Sequence, residues 1–362
     1  MLYPHLCQIF MLCVSITSLA KGSPAFDPKS KWYTRYSHYP EYCSTEEQMN
    51  KRAIPTLNSS DDGIESELLH VTAIIRHGAR TPWTKHKCWS GWDEQKWDCE
   101  LKTMTSPPSQ PEILLLEENG AGNIEIDGEG AMFLFEKNYD ALHDPPQLKN
   151  ILNGTCQVGQ LLLRGYVQEL HNGRMLRKAY TKEKNDDDSD GSLADNMVLF
   201  DLNQDMEQRP YEEPSLYYRS DDDQRTIMSG QVLLRGLFGD IIQQHSEELG
   251  AQIDPTIAVH TADRSQDILS PNPRVCPRLQ DLQDEATKSK EYIDRFVKSE
   301  ESKVMQKIAT QNFHANIDTF EFEALDCLMT AICNDRDLPS VLDDFGDENG
   351  NRNFDRMSKY VS

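Results

Sequence analysis

Val71-Thr-Ala-Ile-Ile-Arg-His-Gly-Ala-Arg-Thr-Pro82 decides how the chain is read. Its apolar half, Val71 to Ile75, has the length and β-branched content of a buried strand. In open α/β sheets, ligands bind just beyond the carboxyl ends of strands. This strand runs out into Arg76, His77 and Gly78, with Arg80 and Pro82 close behind. Gly78 lets the backbone turn away, and Pro82 stiffens the exit. One imidazole and two guanidiniums are therefore expected at the mouth of a pocket.

That trio suits phosphoryl transfer. Arg grips anionic oxygens in a fixed fork and stays charged at any working pH. Two such groups beside a His can hold a phosphate monoester while a ring nitrogen attacks phosphorus, splitting hydrolysis into two easier steps through a phosphohistidine.

A second stretch repeats the architecture. Ser215-Leu-Tyr-Tyr-Arg219 reads as a strand, Ser220 to Ser229 as a polar turn, and Gly230 to Phe238 as an apolar helix. Between the two stretches, Cys156 to Tyr180 has apolar residues at helical spacing. Ile257 to His260 reads as one more short strand, with His260 given no chemistry. Alternating strands and helices of this kind indicate an α/β fold.

Arg76-His77-Gly78-x-Arg80-x-Pro82 resembles the signature of the histidine acid phosphatases. Arg219-Ser220-x-Asp222-x-x-Arg225-Thr226-x-x-Ser229 resembles the second block of the same family. Gly159-x-Leu161-x-x-x-Gly165 resembles its helix start, with Leu162 where the family usually carries the capping Thr. The resemblance spans about residues 69–335. It implies a three-layer α/β/α sandwich, phosphoglycerate mutase-like, with a helical cap. It also implies that His77 is the nucleophile and that Arg76, Arg80 and Arg225 bind phosphate. No cofactor and no metal are implied, because Arg supplies the charge. Cys276-Pro-Arg and the later cysteines look most like the branch holding the 2-phosphoxylose phosphatases, which makes a phosphorylated sugar a candidate substrate. A phytase-like substrate is disfavoured by the chain's negative charge.

The family also carries a late His-Asp or His-Ala-Glu element that supplies the general acid. No His follows His314, and the lone His143-Asp144 precedes the second block. The acid therefore stays unassigned and the chain is expected to be incomplete at its C-terminus. A short isoform or a degenerate relative are the other readings. A secreted phosphate- or phosphosugar-binding protein without turnover is the alternative to an enzyme.

Residues 1–20 read as a cleaved signal peptide, with an uncleaved anchor as the competing reading. Residues 21–68 form an irregular arm. Residues 69–262 form the phosphatase core, with a loop-rich insertion at 83–154. The cap covers 263–335, and 336–362 begin the return to the core. The tryptophans of the insertion either line a cleft or anchor its core, the second being the plainer reading. The acidic runs at 186–190 and 347–351 lack calcium-loop spacing.

Among 362 residues the formal net charge is −23, which argues against nucleic acid and anionic membranes as partners. Seven cysteines follow the signal segment, so one is left without an internal mate. Short loops closed by Cys88 with Cys99 or by Cys327 with Cys333 are conceivable, but connectivity is not readable. Sequons at Asn58 and Asn153 fit passage through the secretory pathway, ending in secretion, the lysosome or the Golgi lumen.

Overall fold

The computed structural model describes residues 32–36, 39–55, 67–83, 89, 92–97, 99, 152–182, 197–201, 209–248, 257–263, 266–269, 272–300, 302–303 and 320–338. The signal segment, Asn58, both acidic runs and the chain end lie outside them.

The elements in chain order are α1 (Glu46–Asn50), α2 (Leu163–Tyr180), β1 (Thr181–Lys182), β2 (Phe200–Asp201), β3 (Tyr218–Arg219), α3 (Gln224–Glu248), β4 (Val259–His260), α4 (Pro277–Lys288) and α5 (Phe320–Cys333). β1 pairs with β2 and β3 with β4, both in parallel. A parallel pair needs a long crossover, and α3 supplies it between β3 and β4.

The core lies between α2 and α3. Leu163, Tyr166, Val167 and Leu170 bury one face of α2 against Met228 and Val232 of α3, with Leu161 just ahead of the helix. Further along α3, Leu233, Leu234, Phe238 and Ile241 close over Tyr211. The helices cross closely because glycines face each other: a Cβ on Gly173 would lie 2.1 Å from the Leu233 carbonyl oxygen, and one on Gly236 2.4 Å from that of Leu170.

Helix limits differ from the spacing-based reading at both helices. α2 begins at Leu163 instead of Cys156, because Gly159 takes φ +72° and breaks the turn. Leu162 occupies the N-cap with no side-chain hydrogen bond, the weakened cap that its apolar side chain implied. α3 begins at Gln224, so Arg225 sits in the first helical turn and not in the preceding loop. The Asp223 carbonyl accepts the Thr226 and Ile227 amides and starts that turn.

The expected strand at Val71–Ile75 is corrected. It carries no ladder among the described residues, and Ile74 is 95 % exposed. Apolarity specifies that a segment is to be covered, but not by what, and neither described strand pair includes it.

The short-loop cysteine pairings are corrected too. Cys43 bonds Cys333, and Cys99 bonds Cys156. Cys276 is free and exposed. Trp89, Trp92 and Trp97 are buried against one another, so they act as core anchors. α4 buries none of its residues. His260 pairs with Glu213 and stacks on Tyr217, a surface role.

Gly173→Ala is expected to lower stability by about 1–3 kcal/mol in denaturant titration, because backbone cannot yield to the new methyl. That loss outweighs the about 1 kcal/mol that Ala gains over Gly in a helix.

Candidate active site

The segment 78–82 is laced to the residues that lead into α2. Arg80 and Leu161 form an antiparallel bridge. The Thr81 amide donates to the Gln160 carbonyl at 2.9 Å, the Leu162 amide to Ala79 at 3.0 Å and the Gly159 amide to Pro82 at 2.8 Å. The buried Thr81 hydroxyl donates to the Gln157 carbonyl at 2.7 Å and accepts the Gln160 amide at 2.9 Å. Gly78 rests directly on the helix: a Cβ there would meet the Gly165 carbonyl oxygen at 2.3 Å. The Gly78 amide donates to Ser229 Oγ of α3 at 3.2 Å.

Gln168, buried on α2, extends the anchorage. Its Oε1 accepts the Ala79 amide at 2.8 Å, and its Nε2 donates to the Cys43 carbonyl at 2.8 Å and to the Ser44 carbonyl at 3.0 Å. One amide therefore ties the loop to the arm, and the arm is tied by Cys43–Cys333 to the end of α5.

His77 and Arg76 line a cavity of about 460 Å³ together with Arg80, Glu169, Asp326 and Thr330. His77 Nδ1 lies 2.9 Å from the Gly78 carbonyl oxygen. A carbonyl only accepts, so the proton sits on Nδ1 and Nε2 keeps its lone pair. Arg80 Nε donates toward that Nε2 at 3.4 Å. Burial first, and the fields of Arg80, Arg225 and Arg76 after it, hold the imidazole down at about 3. Between about pH 3 and 6.5 it is therefore mostly neutral where an ordinary His would be mostly charged.

The guanidiniums differ in setting. Arg76 is exposed at the cavity's rim, and burial of part of its length, followed by Arg80, lowers its proton affinity. Arg80 is held by Thr81's carbonyl at 2.9 Å and by Asp326 Oδ1 at 2.6 Å. Arg225 does not line the cavity. Its Nη2 donates to Asp223 at 2.8 Å, its Nε has no partner among the described residues, and its field still reaches His77. Arg219 is tied to the buried Asp267 at 2.9 Å, which marks it as a structural member of its block.

Three cavity residues had no role in the sequence reading. Gln168 stands in the stretch Gly165-x-x-Gln168 that resembles the family's helix, but that resemblance assigned it no role. Glu169 and Asp326 left no signal. Glu169 accepts from Asn172 at 3.1 Å, and burial raises its carboxyl to about 7. Among the described residues, no three His, Cys, Asp or Glu side chains converge as a metal site. Asn153 is exposed, as a glycosylation acceptor must be. No helix among the described residues is long and apolar enough to cross a membrane.

A family model described as the histidine phosphatase superfamily (branch 2) matches residues 67–348. The chain is 25 % identical over 244 residues to Counting factor 60 of Dictyostelium discoideum, covering 67 % of this chain and 46 % of that protein. It is 33 % identical over 144 residues to the lysosomal acid phosphatase of Bos taurus, covering 36 % of this chain and 33 % of that protein. The chain thus spans less than half the length of each of these curated relatives.

Glu169→Gln tests the buried carboxyl. Its folded value lies above the ordinary one, so the folded state gains from the proton only while the pH stays low. The variant should match the parent near pH 4 and gain up to about 3 kcal/mol near pH 8, read from unfolding midpoints at both pH values.

Proposed function

Given that the chain belongs to the histidine phosphatase superfamily, branch 2, and so to a phosphoglycerate mutase-like α/β family, we propose that it hydrolyses phosphate monoesters through a phosphohistidine on His77. The observation that carries this reading is the neutral, Nδ1-protonated imidazole with its Nε2 lone pair facing Arg80. Nε2 attacks phosphorus as the ester oxygen leaves, taking a proton from a donor this reading leaves unassigned. Water then displaces the imidazole and releases inorganic phosphate. Arg76 and Arg80 bind the non-bridging oxygens, and Arg225, outside the cavity lining, adds positive potential at His77. The Nδ1–H···O bond to Gly78 fixes the ring through both steps and helps it accept, then shed, the phosphoryl group.

The family's three-layer sandwich, with residues 263–335 as a helical cap, is the architecture we propose around this site. A phosphorylated sugar is one candidate substrate. The lysosomal relative, the exposed Asn153 sequon and the disulfides support a lumenal location: secreted, lysosomal or Golgi.

Hydrolysis of p-nitrophenyl phosphate tests the reading, since that leaving group departs without strong acid assistance. His77→Ala should reduce turnover at least about 10³-fold. Turnover retained by the variant contradicts the nucleophile, and absent turnover by folded parent protein supports the binding-only alternative. The pH dependence has a definite sign. With His77 near 3, kcat should change less than about threefold between about pH 4.5 and 6.5, where the neutral form of an ordinary imidazole would change about 50-fold.

A further inference from the structure

We infer that Asp326 is the positioning residue of the phosphate clamp: it holds the Arg80 guanidinium at the angle that faces His77, and it does so from a helix far along the chain. The inference rests on the phosphohistidine reading above and deepens it.

Asp326 is a buried carboxylate on α5 with both oxygens committed. Oδ1 accepts Arg80 Nη2 at 2.6 Å, and Oδ2 accepts the Trp83 amide at 2.6 Å. The two donors lie on either side of Pro82, so one carboxylate grips the signature loop at two points. The Arg80 side chain is then fixed on three sides: Nη1 on the Thr81 carbonyl at 2.9 Å, Nη2 on Asp326, and Nε toward His77 at 3.4 Å. Nε and Nη2 belong to one edge of the guanidinium fork, so the carboxylate on Nη2 sets the direction in which Nε meets His77 and leaves the second N–H of Nη1 and of Nη2 for an anion.

Charge supports the same role. Arg76, Arg80 and Arg225 crowd one site, and each weakens the proton affinity of His77. Asp326 opposes this repulsion, since its field strengthens the proton affinity of Arg76. A buried ion pair of this kind contributes little net stability, but removing one partner leaves the other misdirected. Both oxygens are occupied as acceptors, so Asp326 is not placed to hand a proton to a leaving group. Its helix is held at the C-terminal end: Asn334 Nδ2 donates to the Arg80 carbonyl at 3.4 Å, and Cys333 is bonded to Cys43.

The test is a double-mutant cycle read by affinity for orthovanadate, a phosphate mimic, on the full chain. Asp326→Asn should weaken vanadate binding about tenfold or more in the parent. In an Arg80→Ala background it should change binding by less than about twofold, because the residue it positions is gone. An equal loss in both backgrounds, or no loss in the parent, overturns the inference. A purely structural Asp326 would lower the unfolding temperature in both backgrounds and leave the affinity of folded protein unchanged. Should Asp326→Asn not fold, Asp326→Glu, which keeps the charge but adds a methylene, carries the same cycle. The readout is binding rather than turnover, so a failed cycle is distinct from a failed phosphatase assignment, which His77→Ala reads.

Discussion

The structure depends on the close contact between the signature loop and the start of α2. Gly78 lies on Gly165 with no room for a Cβ on either residue. Around that contact, the Arg80–Leu161 bridge, the Thr81 hydroxyl and the Gln168 amide satisfy the backbone groups that a tight loop would otherwise bury unpaired. The loop therefore has little freedom to move relative to the helix. A phosphate clamp requires this, because transition-state stabilisation of phosphoryl groups comes from position and charge more than from bond-making by the protein.

The same packing accounts for the electrostatics. Several cations beside an imidazole are tolerated because the imidazole is buried and neutral, with its one proton committed to the Gly78 carbonyl. Glu169 is the opposite case on the facing helix: a carboxyl held toward its protonated form by burial. Between about pH 4.5 and 6.5 the two groups push stability in opposite directions. His77 favours folding as pH rises and Glu169 favours it as pH falls, so the pair flattens the pH response.

The sequence made the local parts of this arrangement legible. Arg76, His77 and Arg80 are contiguous, and the loop geometry follows from Gly78 and Pro82. The helices followed from the spacing of Leu161, Leu162, Tyr166, Leu170 and Leu176, and of Val232, Leu233, Leu237 and Phe238. What spacing could not carry was partnership at a distance. Asp326 reaches Arg80 across 246 residues, and Cys43 reaches Cys333 across 290; neither leaves a periodic trace. The Val71–Ile75 strand failed for a related reason, since strand status belongs to a pair and not to a segment. The helix limits shifted because one Gly at positive φ and one Asp carbonyl outweigh a run of apolar positions.

The central claim is that His77 Nε2 carries the phosphoryl group. Its most direct test is rapid quenching of turnover into alkali, where phosphohistidine survives and phosphoserine esters and acyl phosphates are cleaved, followed by mass mapping of peptides. The account predicts one phosphoryl group on the peptide containing His77, formed within the first turnover and absent from His77→Ala. A phosphoryl group on another residue, or steady turnover with none trapped on His77, would contradict it.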